Sequence, residues 1–396
     1  VSFYKELSRQ QKYILICCFF IFFVNGLYAM VFGSLLPYLR AEYGLNEVVS
    51  GMLISGHQAG NLLGGFIAGV LPLYFGEKRS IMFLSIFVMI GFYAMTVTGN
   101  HWILLISFFF TGISRGSISN FNNRTVNNVS GSSPVAMNFL HSLFAVGALL
   151  SPFLIIVANQ IVGDKKGWKV ACYVIIALIL FSQFLFYQMK LPKESTQLKK
   201  DNQGKQGFTF MKDQFFWLTV GILFFYLCAE AAITGWLVTY FIEANILSTS
   251  QAQMISSVLW IGILIGRLGC IFFGDRVRRG KLLFVISLLS VVFYFLLLAS
   301  TNGFTILWIV LGLGASMGGI YPTAMTIAGK SIEKHPMALG WILVIGGLGG
   351  ILMPMLTGVL ASQYGIQTGM SAIVVSIILM FLGVVWHNRL EKKQMK

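Results

Sequence analysis

A chain of 396 residues that is 57% hydrophobic and 10% charged, with a mean hydropathy of +0.80, carries more apolar residue than a soluble core can bury. Its net charge of +15 does not point to nucleic acid, because the 28 Lys and Arg are sorted along the chain by side and not gathered on one basic face. The five cysteines are odd in number, fall within apolar runs and show neither a disulfide frame nor metal-ligand spacing.

Hydropathy predicts twelve membrane-spanning helices, at about 13–39, 46–74, 79–98, 101–123, 134–159, 168–189, 213–242, 250–273, 281–300, 303–328, 336–363 and 367–388. The first run is long enough to span and reads as a retained helix, not a cleaved leader. With the N-terminus in the cytoplasm, the cations fall on one side: Lys5, Arg9, Lys12, Lys78, Arg79, Arg124, the lysines from Lys190 to Lys212, Arg276, Arg278, Arg279, Lys281, Lys330, Lys334 and the C-terminal cluster. Only Arg40, Lys165, Lys166 and Lys169 fall opposite. The positive-inside rule then puts both termini in the cytoplasm, and the plasma membrane is the expected location.

In the first span, Asn25, Gly26, Gly33 and Pro37 interrupt a phenylalanine-rich run, with Asn25 and Tyr28 as candidate substrate ligands, and Pro37 is expected to bend or end the helix. The second span places His57, Gln58 and Asn61 among glycines at four-residue spacing, Gly56, Gly60 and Gly64, which let helix backbones approach closely. His57 and Gln58 are candidate substrate ligands, although one histidine can equally be structural.

The fourth span carries the most polar stretch, TGISRGSISNFNNR (Thr111–Arg124). Arg115, Ser119 and Asn122 share one face at i, i+4 and i+7, with Asn123 beside them. A guanidinium facing lipid would cost several kcal/mol, so this face must look onto protein or water. The alternative is a structural polar seam between helices. The fifth span holds His141 and Pro152, and Trp168 with Lys169 anchors the sixth at an interface.

Residues 191–212 are lysine-rich and lack an apolar stripe, so they read as a cytoplasmic linker between an N-terminal six-helix bundle (1–190) and a C-terminal one (213–396). The seventh span, FFYLCAEAAITGWLVTYF, contains Glu230, the one acidic residue deep in a predicted helix, followed by Trp236 and Tyr240. Glu230 is read as the partner of Arg115 or as a proton-exchanging coupling group; a structural carboxylate is the alternative. Arg267 in the eighth span reads as structural, pairing with Asp275. The following turn, GDRVRRGKLL, carries Asp275, Arg276 and Arg279 as a conformational latch, or merely as solvated positive-inside charge. The tenth span has Tyr321-Pro322, and the glycine-dense eleventh ends at Pro354.

Sliding the chain against itself by 202 residues aligns Gly60 and Gly64 with Gly262 and Gly266, Gly112 and Gly116 with Gly314 and Gly318, and Pro152 with Pro354. A constant offset across separate helix pairs indicates a parallel repeat, with a binding site near the midplane where the halves meet. There is no phosphate-binding loop of the G-x4-G-K-S/T type, no H-E-x-x-H and no G-x-S-x-G, so neither an ATP motor nor a hydrolytic enzyme is indicated.

Twelve spans, a 6+6 parallel repeat, charged turns after spans two and eight and a long basic central loop resemble the major facilitator superfamily across the whole chain. LHSLFAVGALLSP (Leu140–Pro152), EAAITGWLVTY (Glu230–Tyr240), GRLG with DRVRRG, and IYPTAM are similar to the fucose permease branch of sugar:proton symporters. The resemblance implies an all-α fold and alternating access, with spans one, four, seven and ten lining the site. Two acidic residues of that branch fall at Gly33 and Ser119 here, so its sugar-plus-proton mechanism does not carry over whole.

The sequence therefore leads to a secondary transporter of a small polar solute (a sugar, sugar acid or other small organic anion), with Glu230 as the candidate group for coupling to a proton or other ion. Substrate contacts are assigned to Arg115, Ser119, Asn122, Asn123, Asn25, Tyr28, His57 and Gln58, with Trp236, Tyr240 and Tyr321 as aromatic surface. A monomer is expected, with no metal, cofactor or nucleic acid. The rival readings are an exporter of amphipathic compounds and a ligand-binding receptor that moves nothing.

Overall fold

The computed structural model describes residues 7–190, 209–274, 277–327 and 336–394. Among them, twelve helices are long and apolar enough to cross a membrane. They are α1 (Arg9–Met30, continued by Phe32–Tyr43), α2 (Glu47–Phe75), α3 (Glu77–Val97), α4 (His101–Val129), α5 (Pro134–Val162) and α6 (Asp164–Gln188) in the first half. The second half has α7 (Gln214–Glu243), α8 (Thr249–Gly274), α9 (Arg279–Ala299), α10 (Gly303–Ile327), α11 (Pro336–Tyr364) and α12 (Ile366–Gln394). The fold is that of an all-α polytopic membrane protein.

The expected offset recurs in the starts of the helices: α3 and α9, α4 and α10, α5 and α11, and α6 and α12 each begin 202 residues apart. The local signals repeat with it. Asn46 caps α2 by accepting from the Val49 amide at 2.9 Å, and Ser248 caps α8 by accepting from Gln251. Asn100 and Asn302 cap α4 and α10 in the same way. Gly163 and Gly365, at φ of 82° and 87°, turn the chain into α6 and α12 through a backbone region that side chains rarely adopt.

Glycine sets the packing. A Cβ on Gly60, Gly64, Gly112 or Gly116 would sit 2.0–2.1 Å from a backbone carbonyl oxygen of the facing helix, so α2 and α4 touch backbone to backbone. The counterparts Gly262, Gly266, Gly314 and Gly318 place α8 against α10, within 2.0–2.4 Å by the same measure. The facing carbonyls are themselves 202 apart: Phe109 and Leu311, Ile113 and Ala315, His57 and Leu259, Asn61 and Ile263.

Buried apolar residues divide into two clusters. One lies wholly within 14–189; the other belongs to the second half apart from Leu36, Ile54 and Ala148. Residues 191–208 of the linker lie outside the described residues. Its last four, Thr209–Lys212, form a 3-10 turn and are not simply solvated: Phe210 is buried against the Phe216 ring, and the Trp217 indole donates to the Met211 carbonyl at 2.7 Å. The interruption in α1 falls at Val31, while Pro37 lies inside the following helix.

The two halves touch mainly at the end away from the termini. There Gln253 donates to the Ser34 carbonyl (2.9 Å), Ser257 to the Leu149 carbonyl (3.0 Å), and Arg40 pairs with both Glu47 (2.6 Å) and Glu243 (2.9 Å). A Cβ on Gly33 would sit 2.2 Å from the Thr234 carbonyl, and one on Gly358 would sit 2.3 Å from that of Glu47. These polar links between the halves, Gln253 to Ser34, Ser257 to Leu149 and Arg40 to Glu243, all lie toward this termini-distal end.

Because the facing atoms are backbone, they cannot move aside. Gly112→Val should lower the unfolding midpoint in detergent, at a cost of about 1–3 kcal/mol. Gly69→Ala, with nothing within 4 Å, should not. Equal midpoints would refute the packing argument.

Candidate functional site

Arg115 lies between Gly112 and Gly116, so the contact that pulls α4 onto α2 also delivers its guanidinium beside the polar residues of α2. Nη1 lies 3.4 Å from both His57 Nε2 and Gln58 Oε1. Behind it, His57 Nδ1 lies 3.0 Å from the Thr111 hydroxyl, which in turn donates to the Phe108 carbonyl at 2.7 Å. With that hydroxyl proton committed, the imidazole donates from Nδ1 and presents the lone pair of Nε2 to the guanidinium. His57 is thus the orienting residue behind Arg115, and Phe32 covers its ring at 4.6 Å.

Arg115 borders a narrow cavity of about 30 Å³ where the halves meet, shared with Met30 and Gly33 of α1, His57 and Gln58 of α2, and Thr234 of α7. That is room for a water or two, not for a solute. Around it, Asn25 donates to the Ser119 hydroxyl at 3.0 Å, tying α1 to α4. The Tyr28 hydroxyl, fully buried, lies within electrostatic reach of Arg115.

On the α7 side, the Tyr226 hydroxyl donates to Glu230 Oε1 at 2.8 Å, and the Tyr321 ring lies 6.3 Å from that of Tyr226. Glu230 is within electrostatic reach of Arg115, but no ion pair joins them among the described residues. Each remains available to a third party.

Sequence reasoning gave Arg267 a structural role. Asp275, its expected partner, lies outside the described residues, as does Arg276. Arg267 has no ion pair or hydrogen bond to any described residue, and lies within electrostatic reach of Tyr226 on α7 and of His141 on α5. His141 is exposed, with its ring 5.4 Å from Phe22. Arg267 therefore stands near the boundary between the halves. The signal was already present: Arg267 is the second intramembrane arginine, and the cost of a guanidinium in lipid applies to it as it does to Arg115.

Other expected residues lie elsewhere. Asn122 is fully buried and donates to the carbonyl of Ile118 in its own helix (2.8 Å). A shared helical face gives a direction, but not which neighbour covers it two turns on. Asn123 is half-buried. Trp236, with no exposed surface, donates to the Pro354 carbonyl at 3.1 Å and packs α7 on α11, and Tyr240 is sealed against Phe241. Neither offers a free ring face. At the expected latch, Arg279 is exposed and without an ion pair among the described residues. Its neighbour Arg278 instead pairs with Glu391 (2.9 Å), and in the first half Arg124 pairs with Glu77.

The profile of the Major Facilitator Superfamily matches residues 18–332 and 243–396. The chain belongs to the major facilitator superfamily. This facilitator is accordingly a multi-pass secondary transporter of small polar solutes and not an enzyme. It is 26% identical over 375 residues to the glucose/mannose transporter GlcP of Bacillus subtilis, covering 90% of this chain and 91% of the relative. The solved nucleoside transporter NupG overlays with a TM-score of 0.79 at 12% identity, over 94% of this chain and 99% of that one. The transporter FucP, solved in an outward conformation, overlays at 0.62 and 18% identity, over 96% and 99%. These similarities accord with the fucose-permease-like resemblance of the sequence.

The Arg40 cluster generates a prediction for this facilitator. Arg40→Gln leaves Glu47 and Glu243 facing each other without their shared cation. It should shift the balance toward states open at the termini-distal end about fivefold, the equivalent of about 1 kcal/mol. Spin labels at the exposed positions Ala41 and Ser250 would report a larger long-distance population; an unchanged distance distribution would remove the gating role.

Proposed function

We propose that this facilitator carries a small organic monoanion, a sugar acid or similar carboxylate, by alternating access, with 1–190 and 213–396 as the moving units and 191–212 as their linker. One observation carries the reading: two guanidiniums, Arg115 and Arg267, and one carboxylate, Glu230, occupy the region between the halves, and neither arginine has an ion-pair partner among the described residues. The sum is one uncompensated positive charge in low-dielectric surroundings, which a bound carboxylate would neutralise, and an arginine fork fits that group with two parallel hydrogen bonds.

Arg115 anchors the carboxylate. Ser119, Asn25 and Gln58 supply hydroxyl contacts as the halves separate, with Asn123 and Tyr28 beyond them, while Tyr321 offers the aromatic face near Glu230. Glu230 serves as the coupling group, with Tyr226 orienting its carboxylate. The protein works as a monomer in the plasma membrane with both termini in the cytoplasm, so the closed termini-distal end is the outer one. It uses no cofactor and binds no nucleic acid. The glucose/mannose relative favours a second reading, in which the solute is a neutral sugar.

Uptake into proteoliposomes separates the two. Labelled gluconate should accumulate and labelled glucose should not. Arg115→Gln should lower gluconate uptake by at least about tenfold, and Arg115→Lys should not restore it because an ammonium lacks the fork. Glu230→Gln should abolish uptake driven by a pH gradient while sparing exchange. Glucose uptake indifferent to Arg115→Gln would establish the neutral-sugar reading, and pH-driven uptake at full rate in Glu230→Gln would remove the coupling role.

A further inference from the structure

A second cavity lies far from the site, at the termini-proximal end of the second half, between α9 and α12. It encloses about 500 Å³. Arg278, Lys281, Arg389 and Lys392 line it together with the apolar Phe284 and Val385. Asn388 on its wall donates to the Gly280 carbonyl (2.8 Å), tying the two helices together. Glu391 answers Arg278, whereas Lys281, Arg389 and Lys392 have no ion pair among the described residues.

The internal repeat supplies a control. Subtracting 202 from these positions gives Gly76, Arg79, Met82, Gln183, Phe186, Tyr187 and Lys190 in the first half. There Gln183 donates to the Met82 carbonyl (2.8 Å), and Phe186 is buried against Phe121. Lys78 donates to the Tyr187 carbonyl and lies over its ring. The corresponding positions of the first half are thus taken up by contacts within the protein, Gln183 with α3, Phe186 with α4 and Tyr187 with Lys78, whereas beside the Asn388 tie the side chains of Lys281, Arg389 and Lys392 line an open cleft between α9 and α12. The positive-inside rule accounts for cations at this level of the bundle, but not for a cleft among them.

From this contrast we infer that the α9–α12 cleft is a binding site for the headgroup of an anionic phospholipid. Charge complementarity selects the anion: three unanswered cations converge on one cleft. The apolar part selects the lipid. By helical spacing Phe284 continues to the exposed Leu288, and Val385 to the exposed Leu382, so an apolar track leads from the cleft along both helices toward the hydrocarbon. The depth fits as well, because the cations stand at the ends of membrane-spanning helices, where headgroups lie. An inorganic anion would use the rim and leave the track empty.

The test uses the full chain in nanodiscs of mixed dioleoyl phosphatidylglycerol and phosphatidylcholine, with retained lipid counted by native mass spectrometry. The wild type should retain phosphatidylglycerol over phosphatidylcholine by at least about fivefold. Lys281→Gln/Arg389→Gln/Lys392→Gln should bring the ratio to parity, while Lys165→Gln/Lys166→Gln at the opposite end should leave it unchanged. Should the triple variant fail to fold, Arg389→Gln and Lys392→Gln, both at exposed positions, should each lower the ratio singly. Parity in the wild type, or a preference that survives in the variants, overturns the proposal. So does a preference erased by millimolar inorganic phosphate, which would mark a simple anion site.

Discussion

Helices in a bilayer are not driven together by the hydrophobic effect, since lipid tails are as apolar as leucine; they associate where their surfaces fit. Here the fit is made by glycine. The backbone contacts of α2 with α4 and of α8 with α10 bring helix axes close enough for carbonyl oxygens to occupy the space a Cβ would fill. Arg115 sits between two of those glycines and cannot leave the seam without undoing it. Its orientation beside His57 and Gln58 follows from how the first half holds together, so site and scaffold are one construction.

The second constraint is the cost of charge in a dry interior. Nearly every cation of the chain avoids it by lying at a helix end, and most of the ion pairs are found there: Arg40 with Glu47 and Glu243, Arg124 with Glu77, Arg278 with Glu391. Arg115, Arg267 and Glu230 are the exceptions. The halves offer them tyrosine hydroxyls, an imidazole and an amide, but no fixed ion pair among the described residues. Such groups are held in place without an ion pair, which is what the proposed carboxylate site needs: a partner that comes and goes.

The fold was largely legible in the chain because its signals are periodic and local. Apolar runs of span length, capping Asn and Ser before helices, and glycines at four-residue spacing each act over a few residues, and the 202-residue repeat reports them twice. Of the candidate site, the sequence singles out the residues with one affordable environment, Arg115 and Glu230, and the structure brings these two within electrostatic reach of each other. Asn122 shares a helical face with Arg115, and Trp236 and Tyr240 stand one turn apart farther along the helix of Glu230, yet Asn122 is fully buried beside its own helix backbone, Trp236 is covered by α11, and Tyr240 by Phe241. Which neighbour covers a given turn depends on the tilt and rotation of whole helices, and no short stretch of sequence encodes that. Arg267 is the opposite case: the aspartate that the sequence offers as its partner, Asp275, lies outside the described residues, and what the structure adds is its electrostatic reach to Tyr226 and His141.

The break at Val31 divides α1 into two pieces with different allegiances. The lower piece, Arg9–Met30, packs within the first half, while the upper piece, Phe32–Tyr43, rests principally on α7 of the second half through Gly33 and Arg40, and is tied to α8 through the Ser34 carbonyl. One helix therefore belongs to both bundles, joined across a single residue. A picture of two solid blocks pivoting past each other misses this articulation: when the closed end parts, the upper piece must either desert α7 or swing with it about Val31, and Tyr28, just below that joint, would be the first side chain to feel which of the two occurs.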